Sequence, residues 1–445
     1  MTSTSTTNRA GIKTLLRALS SRNYRLFVAG QSVSLVGTWM QQVAMSWLVY
    51  RLTGSAFLLG VVGFTSQIPT LLLSPVAGVL ADRWNRRRLL IVTQALAMLQ
   101  AALLAATVLT GIVQVWHIIV LSLILGVVNA FDIPIRQSFL VEMVSNREDL
   151  GNAIALNSSM VNGARLIGPT IAGLLVASAG EGVCFILNSA SYLAVLVALA
   201  AMRLEPGPHR KQQRHVFHEL REGFDYAFGF GPIRSILLLV ALVSLTGMPY
   251  AVLVPVFAKE VLHGGAHTFG FLMTAAGCGA FAGTLYLASR KSVLGLGRLV
   301  VVATVLFAAG IAAFAVSTNI PLSLASLVLA GFGAMTLVAS CNTILQTILE
   351  EDKRGRVMSF FTVAFIGIAP FGSFGAGAMA GTVGPRETLL FGAACCLAGA
   401  AVFARHLPQI REKVRPIYVR MGIIKEVAQG MESATEQPPL SDSRD

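Results

Sequence analysis

Ionisable side chains are rare in the long apolar runs of this 445-residue sequence, and three stand out because of their spacing. Asp132 and Arg136 lie one helical turn apart in one apolar run, and Arg165 lies near the middle of the next. The turn between these runs falls near Arg147, so Asp132 and Arg165 would differ in depth by only about 5 Å if both runs are helical. Because an arginine side chain can span that distance, we predict an ion pair between Asp132 and Arg165.

Two roles for such a pair stay open on the sequence. The charges can neutralise each other permanently and join two helices, or Asp132 can take up a proton, release its partner and drive a conformational change. A basic partner and burial act on a carboxylate in opposite directions, so the residue types do not choose between these roles. Arg136 is a second basic candidate, one turn from Asp132.

A further set of residues could line a substrate cavity, because each places an amide or an aromatic ring in an otherwise apolar helix. The candidates are Gln31, Trp39, Gln42, Gln67 and Asn129 in the first half of the chain, and Tyr250, Asn342, Gln346, Phe365 and Phe371 in the second. Any one of them could instead make a contact between helices. A large apolar cavity with scattered amides would suit an amphiphilic small molecule.

Other kinds of chemistry lack the residues that they need. The sequence has no Gly-x-x-x-x-Gly-Lys phosphate loop, which argues against the direct use of ATP. Its seven histidines and five cysteines are scattered, without the spacing of metal ligands. We therefore expect no metal, no cofactor and no catalytic centre.

Membrane-spanning helices must position these residues. The chain is 55% hydrophobic and 12% charged, whereas a soluble protein is typically about 25% charged. Apolar runs of about 20 residues recur along it and predict an all-α membrane protein with twelve transmembrane helices in two halves of six. The helices are expected at 25–50, 55–80, 88–109, 115–143, 151–179 and 184–203, and at 234–257, 268–288, 299–316, 322–348, 357–381 and 388–406.

The net charge of +13 comes from basic residues in the segments between the apolar runs. Every second segment is basic, as in the cluster 83–88 and the stretch 203–234, whereas the alternate segments hold only Arg51, Lys259 and Arg386. This asymmetry predicts that both termini lie in the cytoplasm. The same basic segments indicate contact with the lipid bilayer rather than with nucleic acid.

The predicted helices divide the chain into five segments. These are a cytoplasmic N-terminal segment 1–23, a six-helix bundle 24–203, a central cytoplasmic loop 204–233, a second bundle 234–406 and a polar cytoplasmic tail 407–445. Within the central loop, apolar residues at spacings of three and four predict a helix lying at the membrane interface. They are Phe217, Leu220, Phe224 and Phe228.

The segment between predicted helices 2 and 3 reads Gly-Val-Leu-Ala-Asp-Arg-Trp-Asn-Arg-Arg-Arg over residues 78–88. It resembles the loop motif of the major facilitator superfamily. The resemblance implies a cytoplasmic gate formed by Gly78, Asp82, Arg83, Arg86 and Arg87, in which the aspartate latches the two halves near the start of predicted helix 11, at 354–359. Asn85 stands where the family has a glycine, and we expect it to tolerate the same left-handed turn.

Two other features carry the same resemblance. A degenerate copy of the loop motif, without the aspartate, lies at 289–298 and is consistent with a duplicated six-helix unit. Predicted helix 5 carries Gly163, Gly168, Pro169 and Gly173, which resemble the Gly-Pro motif of major facilitator antiporters, with an alanine at one glycine position. Small residues allow close helix packing and proline bends the helix. Because the family's exporters are enriched in this motif, the resemblance favours efflux.

Further stretches, at 132–137, 152–158, 184–188, 354–359 and 369–373, are similar to the subgroup of the enterobactin exporter and the macrolide and tetracycline efflux proteins. The resemblance covers about residues 20–406. It implies a monomeric inner-membrane transporter that exchanges protons for an amphiphilic siderophore, macrolide or other drug by alternating access. An importer on the same fold is one alternative, and a membrane sensor or membrane-embedded enzyme is another.

Overall fold

A computed structural model describes residues 17–144, 146–203, 224–290 and 292–424, without the side chains at positions 75, 78, 79, 81–83, 147 and 352. Helices account for nearly all of the described residues, and no strand occurs among them. The first half contains the helices α1 Arg22–Thr53, α2 Ala56–Arg83, α3 Arg86–Leu109, α4 Val115–Met143, α5 Leu150–Ala179 and α6 Glu181–Ala201.

The second half repeats this arrangement with six further helical segments. They are α7 Gly231–Val261, α8 Ala266–Ser289, α9 Leu296–Val316, α10 Ile320–Ile348, α11 Lys353–Val383 and α12 Pro385–Arg420. By length and composition, eleven helices of the described chain can cross a membrane. The less apolar α1 is 32 residues long and packs among them, so the twelve predicted transmembrane helices are confirmed.

The two halves use the same set of helix contacts. In the first half α1 packs on α6, α2 on α4, α3 on α4 and α3 on α6; in the second α7 packs on α12, α8 on α10, α9 on α10 and α9 on α12. Each contact in one half therefore has a counterpart six helices further along the chain. This correspondence is the structural form of the duplicated six-helix unit that the two loop motifs indicate.

Two helices of the second half are interrupted. In α7 a turn at residues 247–249 breaks the α-helical ladder, because Pro249 has no N–H to donate to the carbonyl oxygen of Leu245. The Met248 N–H instead donates to the carbonyl oxygen of Val243 at 2.9 Å. In α11 the segment Val363–Gly367 is a π-helical turn. Interruptions of this kind in a transmembrane helix are frequent at functional sites.

We call the end of the bundle that carries the connections after α2, α4, α8 and α10 the basic end, and the other the opposite end. At the basic end α12 runs on to Arg420, although the sequence predicted that the last bundle ends at 406 and that a polar tail begins at 407. The physical reason is that the apolar stripe continues, since Ile410 and Val414 are both buried.

The predicted interfacial helix is described only in its last part. Phe217 and Leu220 lie outside the described residues, whereas residues 224–229 are helical. The rings of Phe224 and Phe228 stack with centroids 4.4 Å apart, and Phe224 also meets Phe360 of α11 edge-on at 6.1 Å. This part of the connection therefore packs against the basic end of the second half.

Candidate functional site

A cavity of about 280 Å³ lies between the two halves near mid-depth. Helices α1 and α2 form one wall, and α7, α8 and α11 form the other. Its lining is mostly apolar and includes Met248, Phe269 and Met273, with polar groups contributed by Gln42, Ser46, Ser66, Gln67 and Ser373. A concave, largely apolar site with a few polar groups is the usual form of a small-molecule binding site.

Four of the ten residues predicted for the cavity lie on its wall, namely Trp39, Gln42, Gln67 and Phe365. The other six do not line it in the described structure. Gln346 donates to the side-chain oxygen of Asn342 at 3.1 Å, and Phe371 meets Phe64 of α2 edge-on at 5.7 Å. Gln31 is buried within α1, Asn129 is half-buried in α4, and the half-buried Tyr250 meets Phe307 of α9 edge-on at 6.1 Å.

Two kinds of lining residue were not predicted from the sequence. Ser46 lies four residues after Gln42 and seven after Trp39, and this spacing on one helical face could have identified it. Met248 and Pro249 line the cavity because α7 is interrupted at this level. The Gly-Met-Pro sequence at 247–249 is the signal for that interruption.

Arg165 lies beside this cavity, not beside Asp132. Its guanidinium carbon lies 5.0 Å from the centroid of the Trp39 ring, over the ring face, and the half-buried Tyr250 of α7 is a neighbour. In the described structure no carboxylate oxygen lies within 4.0 Å of the guanidinium. The predicted ion pair between Asp132 and Arg165 is therefore absent.

Asp132 is buried inside the first half, where it faces α3. The Thr93 hydroxyl and the Gln94 amide donate to its Oδ1 at 2.9 and 2.7 Å. Arg136 Nε lies 3.7 Å from its Oδ2, so the residue one turn away is the basic partner. The correction has a simple cause: α4 directs Asp132 towards α3, whereas α5 directs Arg165 towards α1 and α7, so equal depth does not bring the two together.

The loop after α2 is fastened to the first half. Arg86 forms an ion pair with Glu142 of α4 at 2.7 Å, and Arg87 donates to the carbonyl oxygen of Ala200 in α6 at 2.8 Å. The resemblance implied a left-handed backbone at Asn85, but its φ is −67°. Asn85 instead caps α3, because its side-chain oxygen accepts a hydrogen bond from the N–H of Arg88 at 3.0 Å. The side chains of Asp82 and Arg83 and the surroundings of Gly78 lie outside the described structure, as does the predicted latch.

The Gly-Pro residues of α5 lie in tight helix crossings. A Cβ at Gly168 would come within 2.5 Å of Trp39 Cβ, and one at Gly173 within 3.0 Å of the Gly270 Cα in α8. A Cβ at Gly163 would meet nothing within 4 Å. Thus α5 is packed closely from its middle to the opposite end and is open around Gly163.

A second crossing of the same kind joins α2 to α11. A Cβ at Gly60 would lie 2.9 Å from the Gly377 Cα, and a Cβ at Gly377 would lie 2.7 Å from the Gly60 Cα. The α2–α11 and α5–α8 crossings correspond to each other through the six-helix repeat. Because the helix backbones touch directly at these crossings, the two halves meet on the side of the cavity that faces the opposite end.

Aromatic and charged side chains complete this closure. Trp47 of α1 stacks on Phe269 of α8 with centroids 6.2 Å apart. Tyr50 Oη donates to Glu260 Oε1 of α7, and Lys259 Nζ lies 5.5 Å from the centroid of the Tyr50 ring. The cavity is therefore closed off from the opposite end by residues of both halves. Among the described residues, no group of three or more histidine, cysteine, aspartate or glutamate side chains could hold a metal ion.

Comparison with known proteins agrees with this architecture. The chain is 28% identical over 353 residues to the staphyloferrin A transporter of Staphylococcus aureus, covering 78% of this chain and 87% of the relative. It is 25% identical over 385 residues to the multidrug efflux pump Tap of Mycolicibacterium fortuitum, covering 84% and 93% of the two chains.

Solved structures share the fold at low sequence identity. A bacterial homologue of the iron transporter ferroportin, in an inward-facing state, superposes with a TM-score of 0.66 at 18% identity over 86% of this chain and 98% of that one. A bacterial homologue of the lysosomal transporter Spinster gives 0.68 at 15% identity over 86% and 96%. The family model described as transmembrane secretion effector matches residues 14–419. The chain is thus a multi-pass transporter of the major facilitator superfamily and belongs to its transmembrane secretion effector family.

Proposed function

We propose that this transporter is a proton-coupled exporter of amphiphilic small molecules that works by alternating access. The observation that carries the proposal is the cavity between the two six-helix halves, which α1–α7, α2–α11 and α5–α8 contacts close at the opposite end. In this state a solute enters from the basic end. Rocking of the halves about the cavity then opens the opposite end and releases it.

The direction of transport follows from orientation. The basic end carries the Arg86–Arg88 cluster and the basic residues around Arg354. Segments rich in arginine and lysine lie on the cytoplasmic side of bacterial inner membranes. A cavity reached from the basic end is then loaded from the cytoplasm. The similarity to a multidrug efflux pump favours the same direction. An importer on the same fold is the second candidate, and the similarity to a staphyloferrin A transporter extends the range of substrates to siderophores.

Proton coupling is proposed on Asp132. It is a buried carboxylate in the middle of a transmembrane helix, bonded to α3 by two hydrogen bonds and to Arg136 by an ion pair. Proton uptake would remove the negative charge that holds these groups and so change how α3 and α4 pack. Because one chain supplies both halves and the whole cavity, we propose that the monomer is the functional unit.

Uptake into inverted membrane vesicles tests the export direction. With the vesicle lumen acidified, the wild type should accumulate radiolabelled erythromycin or staphyloferrin A, and nigericin should abolish the accumulation. Ser46→Phe, which places a ring in the cavity, should lower the initial rate by roughly tenfold or more.

The matched control is Val33→Phe, which adds the same ring to α1 at a side chain that is 54% exposed and does not line the cavity. It should transport like the wild type. Accumulation only in right-side-out vesicles would identify an importer instead. No gradient-dependent movement of either compound in either kind of vesicle would contradict the proposal.

A further inference from the structure

The guanidinium of Arg165 is charged, lies at the middle of the bundle and has no acceptor among the described residues. None of its N–H groups makes a hydrogen bond to a described residue, and no described carboxylate oxygen lies within 4.0 Å. Its principal contacts are the face of the Trp39 ring and the neighbourhood of Tyr250. Trp39 lines the cavity, so Arg165 stands directly behind the cavity wall.

No other charge in the described structure compensates Arg165. Asp132 is paired with Arg136 and turned towards α3. Glu181 is bound by Arg51, with 2.7 and 3.2 Å contacts at the opposite end. The lining of the cavity contains amides and hydroxyls but neither acidic nor basic side chains. Among the described residues, Arg165 is therefore a positive charge beside the cavity that no carboxylate compensates.

Such a charge is expensive to hold inside a membrane. A half-buried guanidinium loses part of its hydration, and its contact with a tryptophan ring replaces only part of what is lost. The contact of the guanidinium carbon with the Trp39 ring uses none of the N–H donors, which can therefore bind an oxyanion in two parallel hydrogen bonds. An anionic ligand would supply the negative charge that no described residue places beside Arg165.

A neighbouring amide faces the same space. Gln42 lies three residues after Trp39 on α1, lines the cavity and is exposed. Its side chain makes no hydrogen bond in the described structure. Residues three apart lie on one face of a helix. The Gln42 amide can therefore donate to an oxygen of a ligand held at Arg165.

We propose that Arg165, which lies over the Trp39 ring, binds an oxyanion of the substrate, and that the transporter selects anionic amphiphiles over neutral and cationic ones. The proposal rests on the proposed function only in taking the cavity as the substrate site. The ligand is a solute and not a lipid headgroup, since Arg165 is 15 residues from Leu150 and 14 from Ala179. At about 1.5 Å per residue it is roughly 20 Å from either helix end.

Two dyes with the same xanthene core separate the charge of the ligand from its shape. Fluorescein is anionic and rhodamine 6G is cationic, and fluorescence anisotropy measures their binding to the purified protein in phosphatidylcholine nanodiscs. The wild type should bind fluorescein more tightly than rhodamine 6G. Arg165→Gln should weaken fluorescein binding by about tenfold or more, and should leave or strengthen the binding of rhodamine 6G.

Two further variants keep the result interpretable. Arg165→Lys retains the charge without the paired donors, and its affinity for fluorescein should lie between those of the wild type and Arg165→Gln. Arg88→Gln removes the same charge from an exposed side chain at the basic end and should bind both dyes like the wild type. The thermal unfolding of each variant checks that it is folded.

Absence of fluorescein binding by the wild type, equal affinity for the two dyes, or fluorescein binding that Arg165→Gln leaves unchanged would each overturn the proposal. Its failure is separable from failure of the export model. Erythromycin uptake by inverted vesicles together with charge-indifferent dye binding would leave export standing and remove anion selectivity. Binding of fluorescein that depends on Arg165, without uptake in vesicles, would do the reverse.

Discussion

Asp132 and Arg165 are both charged groups within transmembrane helices, but the protein compensates them differently. Asp132 has two hydrogen-bond donors and a basic partner inside the first half. Arg165 lies over the ring of Trp39, at the edge of the cavity. Under the proposed function Asp132 binds the proton, whereas Arg165, which has no described counter-charge, binds the ligand. The two sites are therefore suited to different steps of a transport cycle.

Replacing Asp132 with asparagine tests its role in coupling. Asparagine keeps the shape and an acceptor for Thr93 and Gln94 but cannot exchange a proton or neutralise Arg136. We expect Asp132→Asn to abolish substrate accumulation driven by a pH gradient while substrate counterflow, which needs no net proton movement, continues. Both rates are measured in the same inverted vesicles.

Glu142→Gln is the matched control, because it removes a carboxylate from the same helix at the basic end, where Glu142 is paired with Arg86. It should retain gradient-driven accumulation. Full coupling in Asp132→Asn would show that the carboxylate is a structural partner of Arg136 and no more.

The sequence predicted the depth of these residues but not the direction in which they point. Counting from the turn near Arg147 places Asp132 and Arg165 at similar levels, and both lie within their helices as expected. Contact also depends on rotation about the helix axis, which changes by 100° per residue and is fixed by packing. The kink at Pro134 and the crossing at Gly168 set that rotation, and neither can be computed from spacing alone.

At the scale of helices, the opposite end is held by two crossings in which glycine meets glycine. At Gly377 the nearest atoms to an added Cβ would be the Gly60 Cα at 2.7 Å and the Ala56 carbonyl oxygen at 2.8 Å. Both belong to the backbone of α2, so no side-chain rotation can relieve the overlap. The crossing is thus a point at which a single methyl group should force the two halves apart.

We therefore expect Gly377→Ala to favour the state that is open at the opposite end. Overpacking of this kind costs about 1–3 kcal/mol, which corresponds to a shift of roughly 5- to 150-fold in the equilibrium between states. The measurement is the rate at which a maleimide, applied from the opposite end, labels a cavity cysteine introduced as Ser373→Cys. The background lacks Cys278 and Cys395, the cysteines that are not fully buried.

Gly375→Ala is the control, since a Cβ at Gly375 would meet nothing within 4 Å on the same helix. Its labelling rate should match that of the parent. If Gly377→Ala labels no faster than Gly375→Ala, the crossing does not determine which end is closed.

The helices themselves were largely predictable, and the interruption of α11 was not. Long apolar runs located twelve helices because a bilayer allows few other structures. The π-turn at Val363–Gly367 has no composition that distinguishes it from α-helix, and its contacts with α2 and α7 cannot be read from the sequence. The extension of α12 to Arg420 was missed for a related reason. Pro408 and the charged residues around it led to the prediction of a polar tail. The chain stays helical because Ile410 and Val414 are buried.

For the molecule as a whole, its orientation in the membrane determines from which side the cavity is loaded. The same cavity is loaded from the cytoplasm if the basic end faces inwards, and from outside if it does not. The cluster at 86–88, with Arg298 and Arg354, lies at one end, while Arg51, Lys259 and Arg386 lie at the other. Insertion follows the number of basic residues in the connections, not the fold of the helices. Under the proposed function, the distribution of charge therefore predicts the direction of transport.

Cysteine labelling in intact cells tests this orientation directly. Arg88 and Arg386 are both exposed and lie in the first turns of α3 and α12, at the two ends of the bundle. Arg88→Cys and Arg386→Cys, made in a background without the five native cysteines, therefore form a matched pair. A membrane-impermeant maleimide should label position 386 in intact cells and position 88 only after the cells are permeabilised, when both should react. Labelling of position 88 in intact cells with position 386 protected would place the basic end outside, and loading of the cavity from that end would then be import.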